Sequence, residues 1–182
     1  MPETHPPLDI AARSLDEIAA AAEARGRPPV ERWNPTHCGD SGMRIDREGR
    51  WWHDGKRIER EALVRLFASV LRREEDGRHV LVTPVEKLDI AVEFAALRVT
   101  AITTEGEGEK RRIALQLNDG GALILGPEHV LSVRDGLPVV AVRAGLEASF
   151  ERPVYYELAE LALEAEPAGV WSEGRFFPLG EA

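Results

Sequence analysis

The chain carries one thiol, and it stands beside an imidazole at His37-Cys38. A cysteine nucleophile needs a base within hydrogen-bond reach. Adjacent residues rarely point their side chains at each other, and a structural cysteine is among the most buried residue types. The pair therefore reads as structural before it reads as catalytic. His37, Cys38, Asp40, His53 and Asp54 are metal-ligating types, but their spacing fits no established scaffold and the helical H-E-x-x-H pattern is absent. No metal and no cofactor is expected. There is no G-x-G-x-x-G opening a helix, no Walker loop and no G-x-S-x-G elbow. The glycine turn at 105–108 is acidic, and its carboxylates would repel phosphate.

A second constellation lies at Thr83-Pro84-Val85-Glu86-Lys87. A strand there ends in a corner that proline stiffens by fixing φ and removing an amide. The corner offers a hydroxyl, a carboxylate and an ammonium in one short stretch. Lys87 could meet a phosphate or carboxylate while Glu86 reads a donor. Equally, the two could pair with the rest of the fold. Four of the few aromatics are tryptophans, Trp33, Trp51, Trp52 and Trp171. On a strand, Trp51 and Trp52 must face opposite ways. The outward one, beside Arg44 or Arg50, could stack a planar ring, or simply lie over a hairpin or an interface.

Elements must hold these groups in place, and 182 residues with 43% hydrophobic content can bury a core. Lys and Arg number 23 against 32 Asp and Glu, a formal net charge of -9, which argues against a general nucleic-acid binder. One cysteine excludes an internal disulfide framework. No apolar run reaches the roughly 20 residues of a spanning helix, and the first residues lack a basic start followed by an apolar run. The expectation is a cytoplasmic protein without membrane contact.

Residues 1–13 read as a loose leader. Ser14 and Glu17 form a capping box, and Leu15, Ile18, Ala19 and Ala22 make one apolar stripe that stops before Gly26. This helix is an arm on the body of the protein or a frayed terminus. An irregular loop at 28–42 leads to a strand at Met43–Asp46, a strand at Trp51-Trp52-His53 and the Asp54-Gly55 turn. Leu63, Leu66, Phe67, Val70 and Leu71 mark an amphipathic helix with Arg72 and Arg73 in its last turn. Strands follow at 79–83 and 88–93. The second half loosely repeats this order, with strands at 97–103, 112–118, 122–125, 130–133 and 139–143. It then gives a helix carrying Tyr155, Leu158, Ala159, Ala162 and Leu163, and a closing hairpin, Val170-Trp171 to Phe176-Phe177. Trp52-His53-Asp54-Gly55-Lys56 and Trp171-Ser172-Glu173-Gly174-Arg175 share the form W-x-[DE]-G-[KR]. Together these features predict an α+β protein of two small duplicated units with a seam near 93–100: an arm at 1–27, a first domain at 28–95 and a second at 96–182. Each domain carries a mostly antiparallel sheet and one main helix. Basic residues gather around the first main helix and glutamates around the second, most simply as two solvated faces.

The segments Pro28-Pro29-Val30, Trp33-Asn34-Pro35, Cys38-Gly39-Asp40, Met43-Arg44-Ile45, Leu63 to Phe67, His79 to Lys87, Arg143 to Glu147, Val154 to Leu158 and Gly169-Val170-Trp171-Ser172 resemble the bacterial domain-of-unknown-function family 1285. The match spans residues 28–180 and departs at Ser41-Gly42, where a more acidic or apolar pair belongs. The resemblance implies two α+β domains by duplication, the second pleckstrin-homology-like. It also implies a ligand site at the domain interface for a nucleotide-like molecule, and a role in signal transduction without established catalysis.

The combined expectation is a non-enzymatic, regulatory protein that binds a small anionic or nucleotide-like ligand between its halves. Arg44, Lys87 and Arg143 would neutralise the anion. Trp33 or Tyr155 would stack a ring, Glu86 would read a polar edge, and Asn34 and Thr83 would complete the site. Two alternatives stand beside it: an enzyme using Cys38 with a histidine, and a pure interaction module, either a homodimer or a partner of a signalling protein.

Overall fold

The computed structural model describes residues 6–8, 10 and 13–180; most of the leader expected over 1–13 lies outside them. Helix α1, Leu15–Arg25, begins where Ser14 Oγ accepts from the Glu17 amide at 3.2 Å and ends before Gly26. Its stripe meets the second sheet rather than fraying. Leu15 and Ile18 join Ile10 and Ala114 in a small apolar cluster, Glu105 accepts from the Leu15 amide at 2.8 Å, and Asp16 pairs with Arg112 at 2.9 Å.

Two sheets follow, each of six strands. The first contains β1 (His37–Ile45), β2 (Trp51–His53), β3 (Lys56–Arg57), β4 (Leu71–Arg73), β5 (His79–Val82) and β6 (Glu86–Val92), in the order β3-β2-β1-β6-β5-β4. The second contains β7 (Leu97–Glu105), β8 (Arg112–Leu117), β9 (Ala122–Ile124), β10 (Leu131–Arg134), β11 (Leu137–Arg143) and β12 (Leu146–Phe150), in the order β10-β11-β12-β7-β8-β9. Each is a pair of three-stranded antiparallel meanders joined by parallel pairing of its first and last strands, β1 with β6 and β7 with β12. The repeat lies in this topology. It does not lie in the two W-x-[DE]-G-[KR] turns, because the second turn joins β13 (Gly169–Ser172) to β14 (Arg175–Pro178), a hairpin outside both six-stranded sheets. Nor are the helices equivalent. Helix α2, Glu61–Ser69, links β3 to β4, whereas α3, Arg152–Ala162, follows β12. The strand order does not establish the pleckstrin-homology likeness expected of the second unit.

Local expectations failed where tertiary pairing overrides pattern. The first strand begins at His37, inside the segment read as a loop. Its early part lacks any alternation of apolar residues and is held by parallel pairing with β6. A bulge between Asp40 and Arg44 takes Ser41-Gly42: Ser41 Oγ donates to the Asp89 carbonyl at 2.7 Å and accepts from the Met43 amide, and Gly42 adopts φ 68. A small hydroxyl followed by glycine fits this bulge. Helix α2 stops at Ser69, so Leu71, Arg72 and Arg73 form β4 against β5 and not a last helical turn.

One apolar cluster runs from Ile45, Trp51 and Leu71 of the first unit to Leu115, Leu146 and Phe177 of the second. Much of the boundary between the units is therefore packed shut. Openings remain around α2 and, away from it, beside Arg73, Phe94 and Arg134.

Candidate functional site

The alternation expected at Trp51-Trp52 holds. Trp51 is buried and stacked on Phe67, with ring centres 6.2 Å apart. Trp52 lies on the other face, where Arg44 sits 4.8 Å above its ring. That face therefore presents a tryptophan already covered by cations.

The expected site residues do not all meet: Trp33 and Lys87 are linked through Arg72 and Glu74, whereas Arg143 lies in a cleft that none of the others lines. Arg44 pairs with Glu93 at 3.2 Å on this face. Trp33 packs against the core, and its carbonyl accepts from Arg72 Nη1 at 2.7 Å; Asn34 is exposed next to it. Thr83 closes its own corner by accepting from the Val85 and Glu86 amides at 3.3 and 3.2 Å. Glu86 opens β6 opposite His37, and Lys87 reaches Glu74 at 3.5 Å. Lys87 thus makes the pairing with the rest of the fold that its structural reading expects. Tyr155 lies against Tyr156 on α3 with the rings tilted, 5.8 Å between centres. Cys38 is exposed on β1. Among the described residues no three potential ligands gather as a metal cluster, and no helix is long and apolar enough to cross a membrane.

Arg143 alone of the eight lies in a cleft between the units. The cleft, of about 290 Å³, is enclosed by the C-terminal end of α1, by α2, and by the β8–β9 turn with the end of β11. Four guanidinium groups line it, those of Arg25, Arg27, Arg65 and Arg143, against the carboxylates of Glu23 and Asp119, an excess of two positive charges. Arg25 comes from the last turn of α1 and Arg27 from just beyond it. Arg65 comes from the middle of α2. Asp119 stands in the turn after β8, where its Oδ1 accepts from the Gly121 amide at 2.8 Å and its Oδ2 from Arg143 Nη1 at 2.8 Å.

Gly120 makes the assembly sterically feasible. Its φ is 87, and a Cβ there would lie 2.6 Å from Arg25 Nη2 and 3.4 Å from Arg65 Cδ. Glycine thus supplies both the left-handed turn and the room for two arginine side chains to approach the backbone. Crowding shows in the electrostatics. Burial, and then the Arg143 charge, lower the pKa of Arg27, with Asp119 and Glu31 opposing. Burial also lowers that of Arg25, opposed by Asp119 and reinforced by Arg65. Like charges crowd here with one buried carboxylate at their centre, which favours an incoming anion.

Sequence reading missed Arg25, Arg27, Arg65 and Asp119. The signal available was slight: Arg25-Gly26-Arg27 ends a helix, and Asn118-Asp119-Gly120-Gly121 reads only as a turn.

Fold and cleft define a two-domain α+β protein with an arginine-lined junction. The model described as "Domain of unknown function (DUF1285), N-terminal domain" matches residues 28–95, and "Protein of unknown function (DUF1285), C-terminal domain" matches residues 96–179. The chain belongs to the DUF1285 family. A crystal structure of a DUF1285 family protein from Silicibacter pomeroyi DSS-3 is 41% identical, with 91% of this chain and 96% of that one covered, at a TM-score of 0.77. Another, from Shewanella baltica OS155, shares the fold at 22% identity and a TM-score of 0.50, over 66% of this chain and 91% of that one. No curated protein matches the chain.

Proposed function

We propose that this protein is a non-enzymatic, regulatory ligand-binding module whose guest is a small divalent anion, of the phosphate-ester class, held in the cleft of Arg25, Arg27, Arg65 and Arg143. The observation that carries this reading is the excess of guanidinium groups over carboxylates in a partly enclosed space at the junction. Such a guest would tie the arm, α2 and the second sheet together, a mechanical consequence suited to regulation. Two cleft residues of the nucleophilic or acid–base types are already committed. Ser69 Oγ donates to the Leu66 carbonyl at 2.6 Å, and His129 Nδ1 lies 3.1 Å from the Ala141 carbonyl. The Cys38 alternative has its thiol on exposed β1, outside the cleft. Trp33 and Tyr155 also lie outside it, so a nucleotide would be held by its phosphate and not by ring stacking.

Thermal unfolding with phosphate, pyrophosphate and AMP tests the reading. An anion at about a hundred times its Kd adds about 2.7 kcal/mol, a rise in Tm of roughly 5–10 °C in a chain of this size. Arg27→Ala should abolish the rise. No rise at about 10 mM anion, or an equal rise in the variant, would refute the assignment.

A further inference from the structure

The arginine cleft continues along α1. A groove of about 530 Å³ lies between this helix and β9, the edge strand of the second sheet. Ala22 and Glu23 of α1, Ala122 and Leu123 of β9, and His129 border both the cleft and the groove. Short side chains leave the groove open. Leu15 and Ile18 are buried and seat the first part of α1 on the second sheet. Beyond them the helix offers the groove only Ala19 and Ala22 before Glu23, and β9 faces it with Ala122. A larger residue at any of these alanines would fill the space.

Cleft and groove differ in chemistry. Guanidinium groups dominate the cleft. Among the described residues no Lys or Arg borders the groove, whose walls are mainly apolar, with Ile18, Ala19, Ile124 and Pro127 beside the shared alanines. The carboxylates at the groove are Glu23, Glu128 and Glu173, the last already met by Arg112 at 2.7 Å. A second anionic group there would be repelled. A guest that spans both spaces must therefore carry its negative charge at one end alone. No described Trp, Tyr or Phe borders either space, so no aromatic ring stands ready to stack a nucleobase. Apolar walls reward hydrocarbon instead, and taking about two methylenes out of water is enough for tenfold in affinity.

Resting on the phosphate-ester reading of the cleft, we propose that the guest is a phosphate monoester of a small apolar alcohol, with its head among the arginines and its hydrocarbon body along the groove between α1 and β9.

Calorimetric titration of the full chain with methyl phosphate, hexyl phosphate and AMP tests this. Hexyl phosphate should bind at least tenfold more tightly than methyl phosphate, and more tightly than AMP. Ala19 borders the groove but not the cleft. Ala19→Phe, whose ring would occupy the groove, should bring hexyl phosphate down to the affinity of methyl phosphate. The same variant should bind methyl phosphate as the parent does, which also shows that it is folded. Equal affinity for the two alkyl esters, tighter binding of AMP than of hexyl phosphate, or an undiminished hexyl gain in Ala19→Phe would each overturn the proposal. If methyl phosphate binds and the hexyl chain adds nothing, the apolar body is refuted while the phosphate-ester reading stands. If no ester binds, both are refuted.

Discussion

Arg143 and Asp119 form a buried ion pair that also fastens the two domains. Arg143 Nη1 meets Asp119 Oδ2 at 2.8 Å, with the side chains 10% and 6% exposed, and Arg143 Nη2 donates across the boundary to the Ala68 carbonyl at 3.3 Å. The pair thus sits at the base of the arginine cleft and holds the end of α2 to the second sheet.

Removing the carboxylate leaves four guanidinium groups facing only Glu23 inside the cleft. Asp119→Ala should lower stability by about 3–5 kcal/mol, the usual effect of stripping one partner from a buried pair. Urea unfolding measures it. Added pyrophosphate should recover more stability in this variant than in the parent, since the anion replaces the lost charge. A loss under about 1 kcal/mol would mean that the pair is not what holds the junction.

Gly120→Ala puts a side chain on a left-handed backbone and pushes the end of Arg25 aside. It should destabilise by about 1–3 kcal/mol and weaken the pyrophosphate-dependent rise in Tm. Gly136→Ala is the control. Its φ is 75, but a Cβ there meets nothing within 4 Å, so it should show the backbone penalty alone and leave anion binding intact. Equal anion binding in the two variants would separate Gly120 from the site.

His79, on β5, has its pKa lowered from 6.5 by burial and then by the Arg73 charge opposite it, with Glu147 opposing. The folded state therefore prefers neutral imidazole. Its contribution to stability is fully present above the unfolded value of 6.5 and is lost as pH falls below that through the lower folded value. The urea midpoint should drop between about pH 7.5 and pH 5.5, and drop less in His79→Gln. Identical pH profiles would show that another group governs this range.

The period and punctuation of the chain were enough to place much of the fold. The stripe of Leu15, Ile18 and Ala22 with its Ser14 cap gave α1, and Leu63, Leu66 and Phe67 gave α2. The turns at Asp54-Gly55 and Glu173-Gly174 gave hairpins, because short-range sterics and capping act within a few residues. Arg143 was legible as a junction residue. The strand character of His37–Gly42, the end of α2 at Ser69 and the strand β12 were not, since their stability comes from hydrogen bonds to strands distant in sequence.

The candidate site divides the same way. By itself the sequence determined an acidic α+β chain of two similar halves, with cations and few aromatics to offer a guest. Only the tertiary structure decided which cations meet. Arg25, Arg27 and Arg65 reach Asp119 and Arg143 because α1 crosses to the second sheet and α2 lies at the seam. The Arg44, Lys87 and Trp33 side chains are spent on nearer partners. No local pattern encodes that choice, because it depends on how the two sheets present their edges to each other.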